Sequence, residues 1–268
     1  MLSDMDATYP SVEDWLTTKA IEGRSKRTCT AYLQTVRQFS EFLGRDPVDA
    51  TTRDVRAWFS SLGDTCSNVT INNYRRILNS YYQFLEDEDE IDKSPMRRIR
   101  YIKEDRLVKK AFSDEEMERI LASANTPRDH AVVSFLASTG CRVGELVGVK
   151  RDNVDMTERE VKVYGKGGKE RIVYFDAKCK LAVEEYLSTR TDESPYLFVG
   201  RYGGKQLTTG AIERIVRNVG ERADVENCHP HRFRRTVATR AINRGMPIEQ
   251  VKELLGHSNI QTTMIYAM

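Results

Sequence analysis

Apolar and aromatic residues recur every three to four positions from residue 9 to residue 91, the period of helices with one buried face. Pro10-Ser11 opens a first helix bearing Val12, Trp15, Leu16 and Ile21. A second, over Ser25–Leu43, carries Tyr32, Val36, Phe39 and Leu43. Thr51-Thr52-Arg53-Asp54 caps a third, with Val55, Trp58, Phe59 and Leu62. Ser67–Leu85 forms a fourth, with Ile71, Tyr74, Ile77, Leu78, Tyr81 and Phe84. Four helices with short polar joints predict a compact bundle whose aromatic residues form the core. Lys26, Arg27, Arg37, Arg75 and Arg76 fall on polar faces, where phosphate binding and plain solvation fit equally well.

The pattern breaks after the fourth helix. Glu86–Glu90 is an acidic run, read as a solvated helix end. Asp92–Lys110 follows, with Lys93, Arg97, Arg98, Arg100, Lys103, Arg106, Lys109 and Lys110 against three acidic residues. Pro95 interrupts any helix there. Residues 92–111 therefore read as a basic interdomain linker between a helical domain (1–91) and a second domain (112–268). Such a linker lying along a phosphate backbone would release counterions; a merely solubilising role fits it too.

The second domain opens on a capping box, Ser113 with Glu116 three residues later. Helices are expected over about Ser113–Ala124 and Pro127–Ser138. Gly140 then permits a tight turn, and Arg142 begins a short helix. Arg159–Tyr164 and Glu170–Phe175 read as strands around the glycine-rich turn Gly165-Lys166-Gly167-Gly168-Lys169. Helices resume over about Asp176–Thr189 and Thr208–Ala223. Another carries His231 and Arg234, and a last one, Pro247–Leu255, stops at Gly256-His257. The fold class is mainly α with a small β-hairpin or sheet: a four-helix N-terminal domain plus a mixed α+β domain.

Composition narrows the picture a little. Of 268 residues, 40% are hydrophobic and 31% charged, as in a soluble globular protein. The net charge of +2 means that a nucleic-acid partner would require clustered basic residues. Five scattered cysteines (Cys29, Cys66, Cys141, Cys179 and Cys228) argue against a disulfide framework and for a reducing cytoplasm. Neither a signal peptide nor an apolar run of membrane-spanning length is evident.

The candidate chemistry gathers in residues 229–266, which hold three of the four histidines. His231 and Arg234, three apart on a helix, share one face. Tyr266 follows His257 by nine residues. A tyrosine, with an ordinary pKa of about 10, needs positive charge and a proton acceptor beside it to attack an anion. Each piece alone has a plainer reading. Arg142 fits a surface salt bridge with Glu145, and His231 a hydrogen-bonded structural histidine. Tyr266 fits a packed chain end. The GKGGK turn lacks the P-loop pattern and fits a polar hairpin tip. Cys228, His229 and His231 lack a second ligand pair at zinc spacing, so no metal is expected.

Taken in order, TGCRVGEL, GKGGKER, HPHRFRRTVATRAI and LLGHSNIQTTMIY resemble the tyrosine recombinases of the phage-integrase family, nearest to Xer-like and transposon-type members. The likeness covers about residues 112–268, and the helical N-terminal part has the size of that family's core-binding domain. By position, the resemblance makes Arg142 and Arg234 the active-site arginines, Lys166 the hairpin lysine, and His231 and His257 the histidines. It makes Tyr266 the nucleophile and Glu145 the support of Arg142. Lys26, Arg27, Arg75, Arg76, Arg97, Arg98 and Arg100 become candidate DNA contacts. Arg235 stands where many relatives carry histidine. Only Ala267 and Met268 follow Tyr266, where many relatives continue into a docking helix, so a shortened chain or assembly through other contacts is expected.

The resemblance implies cutting and rejoining of double-stranded DNA through a 3′-phosphotyrosine, without ATP, metal or other cofactor. It also implies a clamp on the duplex, a homotetramer during synapsis, and a role in integration, resolution or transposition. Strand relaxation of the type IB topoisomerase kind uses similar residues, and a non-catalytic DNA-binding regulator is the alternative outside enzymes. The short segment from His257 to Tyr266 favours cleavage by each subunit's own tyrosine, with Ile260, Met264 and Ile265 packing the tail back onto its domain.

Overall fold

The computed structural model describes residues 9–104, 110–165, 168, 170–201, 204–257 and 259–266. The chain divides into two compact units, residues 1–107 and 108–268.

The first unit contains α1 (Pro10–Ile21), α2 (Lys26–Leu43), α3 (Thr52–Ser61) and α4 (Asn68–Asp87). Local chemistry sets their limits. Ser25 and Ser67 accept hydrogen bonds from the backbone N–H groups of Thr28 and Thr70, satisfying donors that a helix start leaves open. Thr51 and Asp54 form a reciprocal capping box on α3. Gly44 ends α2 in the left-handed conformation at φ 65°. The aromatic residues form the core as expected. Trp15, Phe39, Tyr81 and Tyr82 are wholly buried, and Trp15 stacks on Tyr32 at 5.1 Å. The buried phenols are satisfied: Tyr81 pairs with the Ser11 hydroxyl at 2.8 Å, and Tyr82 donates to the Pro47 carbonyl.

Residues 95–104, part of the stretch 92–111 read as a basic interdomain linker, pack on this unit. Met96 and Ile99 are buried in its core. Thr52 donates to the Pro95 carbonyl at 2.9 Å. Asn72 donates to the Ile102 carbonyl and accepts from its N–H, at 2.8 and 2.9 Å. Basic composition hid two apolar anchors and a side-chain amide that mimics a strand partner.

The second unit is built around α6 (Pro127–Thr139), in which Ala131, Val132, Val133, Phe135 and Leu136 are fully buried. Helices α5 (Asp114–Ala122), α8 (Ala177–Ser188), α9 (Thr209–Arg222) and α10 (Pro230–Asn243) surround it. The unit also contains the short α7 (Val143–Val147), then α11 (Ile248–Leu255) and α12 (Gln261–Met264). A three-stranded antiparallel sheet runs β1 (Val154–Asp155), β2 (Glu160–Tyr164), β3 (Glu170–Tyr174). The two-residue β1 is too short for an alternation pattern to reveal. In the β2–β3 pair, Tyr164 faces Glu170 and Val163 faces Arg171. Among the described residues no helix is long and apolar enough to cross a membrane.

Candidate active site

The site grows from two chain reversals that only glycine makes easily. Gly140 ends α6 at φ 58°, and a Cβ there would lie 3.1 Å from the Cβ of Val237 on α10. Gly256 ends α11 at φ 62°. Between these turns the side chains from α7, β3, α10 and the α11 terminus meet.

Arg142 is the residue that caps α7. Glu145, one turn on, folds back toward it: its carboxylate accepts from the Arg142 N–H and from Arg142 Nη1, each at 2.8 Å. A third bond comes from Arg171 Nη2 at 2.7 Å. The Glu145 side chain is only 2% exposed. Burial alone would raise its pKa. The bond from the Arg142 backbone and the Arg171 and Arg142 charges outweigh that and hold it below the usual carboxylate range.

Three guanidinium groups finish on three successive carbonyls at the end of α11. Arg171 Nη1 donates to Leu254 O at 2.6 Å, Arg234 Nη2 to Leu255 O at 2.5 Å, and Arg142 Nη2 to Gly256 O at 2.8 Å. A helix C-terminus leaves its last carbonyls open and carries partial negative charge, so cations belong there. Arg234 Nη1 also donates to Gly140 O at 2.9 Å, tying the two glycine turns together. Arg234 is buried, and burial followed by the Arg142 charge lowers its pKa to about 10, so it stays charged at neutral pH.

His257 follows the second turn and is 7% exposed. Its Nδ1 shares a 2.8 Å hydrogen bond with the Thr263 hydroxyl, and Thr263 is fully buried. Burial, then the charges of Arg234, Arg142 and Arg171, depress the imidazole to about 4. The Tyr266 ring lies over His257 with centroids 6.0 Å apart and planes 28° apart. Tyr266 also packs against Ala238, Val251 and Leu255 of α10 and α11. His231 sits in the first turn of α10. Desolvation, followed by Arg234, Arg142 and Arg235, holds its pKa below the ordinary value, and Glu213 offsets this in part.

Arg142, Glu145, His231, Arg234, His257 and Tyr266 thus belong to one neighbourhood of the second unit. Lys166 lies outside the described residues, as does Ser258. Around Lys166, the hairpin strands are paired up to Tyr164 and Glu170, and Gly168 takes φ 74°. The tail is held differently from the sequence expectation. Met264 and Ile265 are 41% and 63% exposed, and the buried Thr263 together with Tyr266 does the packing. Apolar character alone, over so short a stretch, did not distinguish these faces.

Two further residues of this neighbourhood escaped the sequence reading. In the sequence Arg171 reads only as a residue of the second strand and is given no role, yet strand alternation puts it on the side of the buried Val173. An inward arginine on a strand was the available signal. Thr263 looked like tail, and nothing in the sequence marked it as the partner of His257.

In the first unit, Lys26, Arg27, Arg76, Arg97, Arg98 and Arg100 are exposed. Arg75 is engaged: its Nε and Nη2 donate to Ile99 O at 2.9 and 2.6 Å, and its guanidinium lies 4.1 Å from the Tyr101 ring centroid. It serves as a tether for residues 99–101.

Comparison with known proteins adds what geometry alone does not. Residues 110–268 match the phage integrase family, and residues 12–92 match the phage integrase N-terminal SAM-like domain. The tyrosine recombinase XerC of Staphylococcus saprophyticus is 32% identical over 256 residues, covering 90% of this chain and 86% of that protein. The crystal structure of XerA recombinase is 28% identical, with a TM-score of 0.57 and coverage of 96% of this chain and 92% of that one. A lambda integrase tetramer bound to a Holliday junction shares the fold with a TM-score of 0.78 at 16% identity, covering 93% of this chain and 76% of that one. Over both of its units, the chain belongs to the phage integrase family, as a site-specific tyrosine recombinase of the Xer-like kind.

Proposed function

We propose that this recombinase cuts and rejoins double-stranded DNA by transesterification at Tyr266. The observation that carries the reading is the convergence of Arg142 and Arg234 on one helix end beside His257 and Tyr266. Each arginine Nη carries two hydrogens, so a bond to a carbonyl leaves one for a nonbridging phosphate oxygen. Guanidinium groups fixed before the reaction stabilise the charge that grows on those oxygens during in-line attack.

The Tyr266 oxygen attacks phosphorus and its proton passes to His231, directly or through a water. The bond from phosphorus to the 5′ oxygen breaks, and Lys166 supplies the proton to that oxygen. His257 donates to the phosphate through Nε2. The product is a 3′ phosphate joined to Tyr266 and a free 5′ hydroxyl. Attack by another 5′ hydroxyl reverses the sequence, and no ATP is consumed because the phosphodiester energy stays in the tyrosyl link. Glu145 keeps Arg142 in register.

The DNA partner and a homotetramer during synapsis come to this chain from relatives, of which lambda integrase has been seen as a tetramer on a Holliday junction. Lys26, Arg27, Arg76, Arg97, Arg98 and Arg100 are the proposed backbone contacts of the first unit, and a cytoplasmic location suits a DNA substrate. A library of nicked duplexes of randomised sequence tests the reading. The protein should become covalently attached to a 3′ end at a selected sequence, whereas Tyr266→Phe should bind that sequence and form no adduct. An adduct retained by Tyr266→Phe would falsify the assignment.

A further inference from the structure

Arg171 is the one member of the arginine cluster to which the mechanism above gives no task. It points inward from β3, opposite Val163, with its side chain 16% exposed. One terminal nitrogen binds the Glu145 carboxylate at 2.7 Å and the other binds Leu254 O at 2.6 Å. Its stem passes under Gly256 so closely that a Cβ there would fall 2.7 Å from both Cδ and Nε. Gly256 is therefore required twice, for its left-handed backbone and for the passage of this side chain.

We propose that Arg171 is a positioning residue: it locks Glu145, and through Glu145 the guanidinium of Arg142, against the end of α11 that leads to His257 and Tyr266. The inference rests on the catalytic reading of Arg142 given above. Glu145 is buried between two guanidinium groups, so loss of one leaves a buried carboxylate oxygen and the Leu254 carbonyl short of a donor. Glu145 then draws on Arg142 alone, and the α11 terminus keeps two of its three clasps. Arg171 also joins β3, the strand after the Lys166 turn, to the end of α11, from which the chain runs on to His257 and Tyr266. The two halves of the proposed site are thereby held in a fixed relation.

A lysine cannot repeat this. Its single ammonium is a point charge, while the planar fork reaches two acceptors in different directions. Nor does a purely electrostatic role suffice, because both acceptors are fixed by geometry.

The test measures single-turnover cleavage of the nicked duplex selected above, at saturating protein, beside binding of the same duplex and thermal unfolding. Arg171→Gln should cleave about a hundredfold more slowly, the scale of a small misplacement in a preorganised site. Its DNA affinity should stay within about threefold of the parent, since the proposed lesion is in alignment rather than in the binding surface. Arg171→Lys should recover part of the rate. In a Glu145→Gln background the same Arg171→Gln change should cost less than about threefold more, because residues acting through one contact are not additive. Full, independent losses in the double variant would overturn the proposal, as would normal cleavage by Arg171→Gln. A loss that merely tracks the unfolded fraction would overturn it too. Absence of any adduct from the parent protein would instead sink the catalytic reading of Tyr266 and Arg142.

Discussion

The His257 imidazole and the Thr263 hydroxyl are joined by a 2.8 Å hydrogen bond, with Thr263 fully buried and His257 nearly so. The bond spans the segment that leads to Tyr266, so one contact both sets the histidine and holds the tail. A hydroxyl donating to Nδ1 leaves the proton on Nε2, the nitrogen proposed to meet phosphate.

Thr263→Val keeps the shape and removes the hydroxyl. Cleavage should fall about ten- to a hundredfold, as at other sites where the partner that orients an imidazole is removed. Nitrogen NMR of His257 should show a shift in the balance of Nδ1–H and Nε2–H tautomers. An unchanged tautomer together with a slowed reaction would mean that Thr263 acts only by packing.

Both site histidines are held below their ordinary pKa, His257 to about 4. His231 must be neutral to accept the tyrosine proton, so the cleavage rate should stay level through neutral pH and decline only below the ordinary histidine range. Stability follows the same sign. An unfolded chain takes a proton on His257 near pH 6.5, but the folded chain resists until about 4. Its contribution is complete above 6.5 and declines as pH falls between those values. Urea midpoints of the parent and of His257→Gln should therefore converge as pH drops from 6.5 to 4. Parallel curves would show that His257 is not the group responsible.

Arg97, Arg98 and Arg100 are exposed on a segment whose neighbours Met96 and Ile99 are buried. They are presented on a fixed edge of the first unit, not on a floppy strand. Replacing all three by alanine should weaken binding to every DNA sequence alike. The slope of log affinity against log salt should flatten by up to roughly 2.7, about 0.9 for each phosphate no longer neutralised. Weakening confined to one sequence would mean base reading instead.

Much of this molecule was legible in the sequence for definite reasons. The helix period exposed all four N-terminal helices, and Ser113 with Glu116 announced α5 by a reciprocal cap that is present. The spacing of His231 and Arg234 on one helix put them on a shared face. What escaped depended on contacts across long stretches of chain. Arg171 meets Glu145 and Leu254 from residues far apart in sequence, and Asn72 clasps Ile102 in a segment that composition marked as linker. The tail failed for another reason: its apolar residues suggested packing, yet a threonine–histidine bond and the Tyr266 ring hold it.

Tyr266 lies over His257 of the same chain, with 6.0 Å between ring centroids, so each subunit is predicted to cut with its own tyrosine. Mixing two inactive proteins, Tyr266→Phe and Arg142→Ala, on paired copies of the selected duplex distinguishes cleavage within a subunit from cleavage by a neighbour's tyrosine. Cleavage within each subunit predicts that the mixture stays inactive, because neither chain has both a nucleophile and an intact pocket. Cleavage that returns in the mixture, with DNA attached to the Arg142→Ala chain, would show the tyrosine acting in a neighbour's site and rule out cleavage by each subunit's own tyrosine.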